Sequence, residues 1–150
     1  MANYIISINT KAILNKDNAY YKSRVYEGNQ IRNHVHKPEH ILKHNCMLNG
    51  ASLDGRKDYS KETLKSPVKL PIPVIPKMGI YMVPTSSPKS LDCIWISYYH
   101  VEKYEERDDK TYIYFRDGTG MYVNVSESTL HNQMIRTAQL IAQINRPIHF

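Results

Sequence analysis

The sequence predicts an α+β fold in which a mostly antiparallel β domain carries a C-terminal helix packed on it. Three observations lead to this prediction: short runs rich in tyrosine and isoleucine, one clear β-hairpin signal, and one amphipathic helical pattern near the end of the chain. With 150 residues the chain is long enough to bury a core, so residues 1–150 are expected to form a single domain.

The first half of the chain contains two candidate strands. Residues 4–8 and 20–26 are short runs rich in β-favouring side chains, and the second run alternates like a half-buried strand. Residues 28–45 follow neither period clearly, so their structure is left open. The dipeptides Asn49-Gly50 and Asp54-Gly55 predict turns, because glycine adopts the backbone angles that tight turns need.

Closely spaced prolines mark the middle of the chain. Between Ser66 and Pro88 they recur too often for a central β-strand, because proline has no backbone N–H to donate to a sheet. We therefore predict an extended crossing over the core, followed by a short strand at 79–83. The apolar residues among these prolines need a surface to cover, which argues against a linker between domains.

The strongest strand signals lie in the C-terminal half. Residues 94–99 predict a buried strand around Trp95. Residues 111–115 and 121–125 flank a glycine-containing turn and predict a β-hairpin. Asp108-Asp109 predicts a solvated turn between strands.

One amphipathic helix is predicted after Ser126 or Ser128, either of which can cap its N-terminus, and Arg146-Pro147 ends it. The predicted apolar face contains Leu130, Met134, Ala138 and Ile141, with Ile144 beside them. The predicted polar face contains Asn132, Arg136, Gln139 and Gln143. This division indicates that the helix packs on the sheet along one side.

The net charge of +6 is distributed unevenly. Residues 1–90 contain 14 lysines and arginines against 6 aspartates and glutamates (+8), whereas residues 91–150 contain 6 against 8 (−2). This asymmetry favours a polyanion as the partner of the first part. We expect no secretory leader, membrane helix or disulfide scaffold, and hence a cytoplasmic location.

Four ordered motifs carry a resemblance to a known family. They are Gly55-Arg56-Lys57, Pro-Thr-Ser-Ser-Pro at 84–88, Cys-Ile-Trp-Ile-Ser-Tyr-Tyr-His-Val at 93–101 and Asn-Gln-Met-Ile-Arg-Thr-Ala at 132–138. In this order and spacing they resemble the ComK family of bacterial competence transcription factors. A weaker similarity covers residues 20–25 and Lys37-Pro38, so the resemblance extends over most of the chain.

The resemblance implies a function and partners. It implies a DNA-binding activator of DNA-uptake and recombination genes that recognises paired A/T-rich boxes, mainly through the minor groove. It also implies homo-dimers that pair on DNA, RNA polymerase as a further partner, a nucleoid-associated location, no enzymatic activity and no cofactor. Family members extend beyond the last helix, whereas this sequence ends at Phe150. The chain therefore resembles a short member, and adaptor-driven protease control is not carried over to it.

The resemblance also implies DNA contacts by Arg56, Lys57, Lys61, Lys65, Arg24 and Arg136. Arg56 and Lys57 are expected in a basic loop on a tight glycine turn. This shape suits a narrow A/T-rich minor groove, where negative potential is concentrated. Arg24 adds a cation in the basic first part of the chain.

The other predicted contacts have open alternatives. The lysines from Lys61 to Lys69 recur every fourth residue, forming one basic stripe in a helix or a flexible basic edge in a loop. Either arrangement can follow a phosphate backbone. Arg136 either reaches a phosphate or pairs locally with Glu127 or Asn132.

Two chemical alternatives involve histidines. A zinc hypothesis rests on His34, His36, His40 and His44 with Cys46 nearby, since two of these histidines share a face if Pro38 opens a helix. No carboxylate or second cysteine completes a well-spaced set of ligands, so a weakly pH-sensitive basic surface is favoured and no metal is predicted. Cys93 and His100 are disfavoured as nucleophile and base, because they are seven residues apart around a strand-like run.

Two further functional alternatives remain. The twelve tyrosines and the basic charge fit an RNA-binding or ribosome-associated module, in which aromatic rings stack on bases. A competence-related interaction protein that has lost DNA binding is disfavoured by the intact Gly55-Arg56-Lys57 motif.

Overall fold

The computed structural model describes residues 2–147, and the end of the chain at Phe150 lies outside the described residues. The strands in this part of the chain are β1 (Thr10–Asn15), β2 (Ser23–Glu27), β3 (Gln30–His34), β4 (Ile72–Ile75), β5 (Ile80–Pro84), β6 (Ile94–Ser97), β7 (Val101–Arg107), β8 (Lys110–Phe115) and β9 (Gly120–Val123). The α-helices are α1 (Pro38–Leu48), α2 (Leu53–Leu64) and α3 (Glu127–Ile144). Short 3-10 turns lie at Pro76–Met78 and Tyr98–His100.

The strands form two sheets. The larger has the order β3-β2-β1-β6-β5-β4, and the smaller has the order β7-β8-β9. Every strand pair is antiparallel. The predicted α+β class, with a mostly antiparallel sheet and a C-terminal helix, is confirmed.

The larger sheet is covered on both faces. Ile13 lies opposite both Val25 and Trp95, and these side chains pack with α1 in one core cluster. Ala12 and Ile96 alternate with them and enter a second cluster with the smaller sheet and α3. Successive side chains of a strand point to opposite faces, so β1 and β6 contribute to both clusters.

The predicted strand at residues 4–8 is wrong. The Ile6 N–H donates to the Asn45 side-chain oxygen at 2.9 Å, and the Asn45 amide donates to the Tyr4 carbonyl at 2.9 Å. A buried side chain of α1 therefore satisfies this backbone in place of a neighbouring strand. The first strand is β1, which the sequence pattern did not reveal. The strand predicted at residues 20–26 is confirmed only from Ser23 onward.

The open segment at 28–45 contains β3 and the start of α1, whose first residue is Pro38. The turn at Asn49-Gly50 is confirmed, with a Gly50 φ of +74°. The turn at Asp54-Gly55 is wrong, because Ser52 caps α2 and accepts the Gly55 N–H at 2.9 Å. The predicted basic loop is thus the first turn of a helix.

The proline-rich segment contributes an edge strand. β4 pairs only with β5, and its other side has no strand neighbour within residues 2–147, so a proline is tolerated there. The extended crossing was predicted, whereas its pairing with β5 was not. The short strand predicted at 79–83 is confirmed as β5.

The C-terminal predictions largely agree with the structure. The buried strand around Trp95 is confirmed as β6, and the β8–β9 hairpin is confirmed. The turn between β7 and β8 contains Asp108 and Asp109, both at positive φ as a tight hairpin turn requires. No described helix is long and apolar enough to cross a membrane.

The C-terminal helix is confirmed as α3, capped by Ser126, but its predicted faces need correction. Its buried residues are Leu130, Gln133, Thr137, Leu140 and Ile141, whereas Ala138 is exposed and Met134 is half-buried. Gln133 is buried because its amide donates to the carbonyls of Lys69 and Pro84 at 2.9 and 2.8 Å. Satisfied polar side chains can occupy a core position that an apolar pattern does not reveal.

Candidate nucleic-acid interface

The six predicted DNA contacts do not form one patch. Arg56, Lys57 and Lys61 lie on α2, and Lys65 ends that helix in a left-handed conformation. Arg24 is on β2, with its side chain on the face of the larger sheet away from α1, since Val25 alternates with it and packs with α1. Arg136 is on α3.

The predicted basic stripe from Lys61 to Lys69 is interrupted. α2 ends at Leu64, and both Lys65 and Lys69 have positive φ, so the three lysines do not share a helical face. Within α2, Arg56, Lys57 and Lys61 are balanced by Asp54, Asp58 and Glu62. The helix itself therefore has no net charge.

Lys57 bridges the two helices. Its ammonium group donates to a Glu39 carboxylate oxygen of α1 at 3.1 Å. The pair is at the surface, where such ion pairs contribute little to stability, so Lys57 can exchange Glu39 for another anion at small cost.

Arg136 contacts backbone carbonyl groups. It donates to the Val68 carbonyl at 2.9 Å, to the Lys69 carbonyl at 3.2 Å and to the Gln133 side-chain oxygen. Burial lowers its pKa, yet an arginine stays charged at neutral pH. The alternative of local pairing with Glu127 or Asn132 is wrong, because these carbonyls take the donors instead.

A concave surface between α1 and the start of α2 gathers lysines that the sequence analysis did not name as contacts, beside two histidines of its zinc hypothesis. We call it the basic groove and define it by Lys22, His36, Lys37, His40 and Lys43. Its volume is about 690 Å³. The carboxylates of Glu39 and Asp54 also line it, and Glu39 is already paired with Lys57.

Two of the histidines in the basic groove lie against each other. The rings of His36 and His40 stack at a centroid distance of 4.2 Å. The pKa of His40 is lowered by burial and then by the charges of His36, His44 and Lys43. Burial is the largest cause, so the lowered pKa keeps the His40 ring neutral and leaves the positive charge of the groove to its lysines.

The chemical alternatives gain no support from the geometry. Pro38 does open a helix, but no described group of three or more His, Cys, Asp or Glu side chains could hold a metal ion. Cys93 donates to the Ser86 carbonyl, while His100 bonds to the Ile8 carbonyl at 2.6 Å. Burial raises the pKa of the Cys93 thiol, which disfavours the thiolate that a nucleophile needs.

The β2–β3 hairpin presents arginine on both faces. Arg24 donates to the Asn33 side chain at 3.3 Å, and Arg32 donates to the Gln30 side chain at 3.0 and 2.6 Å. The register places Arg24 opposite Asn33 and Val25 opposite Arg32, so the two guanidinium groups point to opposite sides. Arg32 was missed, although Glu27-Gly28-Asn29 is a turn signal between two alternating runs.

β3 is an exposed edge strand. All its residues from Gln30 to Asn33 are exposed, and Ile31 is 58% exposed. The hairpin thus forms the edge of the larger sheet, with one arginine on each face and a projecting apolar side chain. β-Sheets with such edges can place strands in DNA grooves.

Comparisons with known proteins agree with the resemblance in the motifs. Residues 1–149 match the family described as ComK protein. A competence transcription factor of Bacillus subtilis (strain 168) is 36% identical over 105 residues, which are 69% of this chain and 55% of that relative. The chain thus spans about half the length of the relative it matches. No solved structure matches it.

Proposed function

The chain belongs to the ComK family, and from that membership we propose that it is a transcription activator of competence genes rather than an enzyme. It binds paired A/T-rich boxes in double-stranded DNA, largely through the minor groove, and dimers of the chain pair on the promoter. The observation that carries this proposal is the family match over residues 1–149. The similarity to a competence transcription factor supports it.

The basic groove is the proposed site for the phosphate backbone. Lys37 and Lys43 are exposed at its rim, and neither belongs to an ion pair within residues 2–147. Cations without an internal partner release counterions from DNA when they bind it, which produces a steep salt dependence. Lys57, Lys61 and Lys65 extend this proposed phosphate-binding surface along α2.

The β2–β3 hairpin is the proposed minor-groove element. Arg24 and Arg32 on its two sides favour the narrow, strongly negative groove of A/T-rich DNA. The exposed Ile31 supplies an apolar side chain that can press against a base step. For Arg56 and Arg136, which face a cavity and a set of carbonyls, DNA contact stays a prediction.

The proposal includes partners and a location. Two A/T-rich boxes read by identical chains imply a symmetric pair of protomers on the DNA. RNA polymerase is a further proposed partner of the promoter-bound dimer. A nucleoid-associated location in the cytoplasm follows from DNA binding.

Fluorescence anisotropy on the full chain tests the proposal. The protein is titrated into a duplex with paired A/T-rich boxes, a G/C-rich duplex of equal length and a single-stranded RNA, each over a salt series. We expect selective binding of the A/T-rich duplex, a steep loss of affinity with salt, and displacement by a minor-groove drug. Equal affinity for both duplexes, or preference for RNA, contradicts the proposal and favours the RNA-binding alternative.

A double variant and its control test whether the β2–β3 hairpin recognises A/T-rich DNA. Arg24→Gln with Arg32→Gln should reduce the preference for A/T-rich over G/C-rich duplex, because both proposed groove contacts are lost. Arg146→Gln is the matched control, since this exposed arginine lies beyond the end of α3. If both variants keep the same preference, the hairpin is not the reading element.

A further inference from the structure

A second cavity, of about 400 Å³, opens on the other side of α2 from the basic groove. It is bounded by the end of α1, by α2, by β4 with the 3-10 turn after it, and by the last turn of α3. Cavities of this size hold small organic molecules. Residues between positions 49 and 144 therefore meet around a space suited to a ligand.

Arg56 is the cation of this cavity. Its Nε is buried and has no hydrogen-bond partner within residues 2–147. The ion pairs formed by that part of the chain do not include Arg56. This Nε is closed to solvent, so a ligand in the cavity would meet the part of the Arg56 side chain that borders it. A guanidinium without an anionic partner favours an added acceptor there.

The cavity lining does not supply that acceptor as a carboxylate. No aspartate or glutamate is among the described lining residues, and Lys77 adds a second cation. By contrast, Glu39 satisfies Lys57 on the neighbouring side of the same helix. Among its described lining residues, the cavity therefore has two cations and no carboxylate.

The remaining walls are largely apolar. Pro73 and Ile75 come from β4, Ile144 comes from the end of α3, and the Tyr59 ring stands at the rim. A ligand with only charge would leave these walls in contact with water. An apolar body covers them, and burial of its surface adds to the binding free energy.

We propose that this cavity binds a small carboxylate with an apolar body. The carboxylate pairs with the Arg56 guanidinium, whose planar fork matches two carboxylate oxygens, and the apolar body packs between Ile75 and Ile144. Because the ligand would touch α2, β4 and α3, its binding stabilises the folded chain. The inference stands on the cavity alone and does not require DNA binding.

Two-dimensional NMR on the full chain tests this site with three probes: hexanoate, phenylbutyrate and naphthylacetate. Each probe is compared with its uncharged carboxamide. We expect saturable shifts of the Arg56 Nε–Hε signal and of the Ile75 and Ile144 methyl signals with at least one carboxylate. Its carboxamide should bind at least about tenfold more weakly, because the charge-assisted pair is lost.

Matched variants separate Arg56 from general charge. Arg56→Gln should weaken carboxylate binding at least about tenfold. Lys61→Gln removes the same charge from an exposed position of the same helix outside the cavity and should leave binding unchanged. If Arg56→Gln does not fold, the comparison of carboxylate with carboxamide on the unaltered chain still tests whether the cavity binds the charged group. Absence of saturable shifts with all three carboxylates, or equal binding of the carboxamides, overturns the proposal.

Discussion

The basic region, residues 1–90, and the acidic region, residues 91–150, use their cationic side chains differently. In the acidic region Arg116 donates to Glu102 and to the Tyr99 carbonyl, and Arg107 lies over the Tyr112 ring at 4.5 Å. In the basic region Lys37 and Lys43 border an open groove and take part in no ion pair within residues 2–147.

This difference teaches that net charge alone does not identify a DNA-binding surface. α2 carries three cations and three carboxylates, and Lys57 is already paired. The basic groove carries Lys37 and Lys43, which form no ion pair within residues 2–147. A phosphate gains most where no internal carboxylate must be displaced, which favours the groove over α2 as the main contact.

The largest expected effect is loss of DNA binding when the groove is neutralised. Lys37→Gln combined with Lys43→Gln should lower affinity for the A/T-rich duplex by about tenfold or more and reduce the salt slope by about 2. Anisotropy over a salt series measures both. Lys110→Gln, in the acidic region, is the control with unchanged binding. An unaltered slope in the double variant would show that the groove is not the phosphate site.

The next effect concerns stability in the acidic region. Arg136→Ala removes a charged donor from the carbonyls of Val68 and Lys69 and should lower the free energy of unfolding by about 2 kcal/mol. Urea denaturation measures this change, with Gln139→Ala on the exposed side of the same helix as control. Unchanged unfolding with weakened DNA binding would instead assign Arg136 to the DNA interface.

A smaller effect concerns the ion pair that joins the two regions. Lys11, which is buried, donates to Asp117 at 2.9 Å and to Thr119 at 2.7 Å. Bonds from Thr119 and then Lys11 hold the pKa of Asp117 well below its usual range. A depressed folded pKa contributes stability above the unfolded pKa of about 3.9, and this contribution is lost as the pH falls through the folded value.

Lys11→Met tests this linkage. The stability difference between the unaltered chain and the variant should be largest at neutral pH and should shrink below about pH 4, as measured by urea unfolding across that range. The unaltered chain at each pH is the reference. A difference that does not change with pH would mean that packing of the Lys11 stem, rather than its charge, stabilises the junction.

The smallest expected effect is on α2. Lys57→Gln breaks a surface ion pair with Glu39 and should lower the unfolding free energy by less than about 1 kcal/mol. Its effect on duplex affinity should be smaller than that of the groove double variant. Glu39→Gln is the matched partner variant and should change stability similarly. A large loss of duplex affinity from Lys57→Gln alone would show that α2, rather than the basic groove, is the main DNA contact.

Local sequence patterns predicted the elements whose signals are local. The β8–β9 hairpin, the Trp95 strand and the capped α3 helix follow from alternation, turn residues and helical period. The segment at 4–8 has a strand-like composition but forms no strand, because Asn45 takes its backbone hydrogen bonds. The Gly55 turn became a helix because Ser52 caps it, a signal three residues upstream.

The candidate site was predictable only in part. The excess of cations before residue 90 was visible, and Arg24 and Lys57 were named as contacts. Lys37 and Lys43 were not named as contacts, because the groove that they border exists only once α1 packs beside the start of α2. The structural contacts of Arg136 were equally hidden, since its acceptors lie on a segment 67 and 68 residues away.

The sequence by itself determined the α+β class, the charge asymmetry and the family, because composition, period and ordered motifs are properties of the chain. The tertiary structure decided which cations are free. In the sequence these cationic residues cannot be told apart. In the folded chain Lys57 pairs with a carboxylate, Arg136 donates to carbonyl groups and Arg56 borders an open cavity. Whether a charge can bind a partner depends on its neighbours in space, and folding alone sets those neighbours.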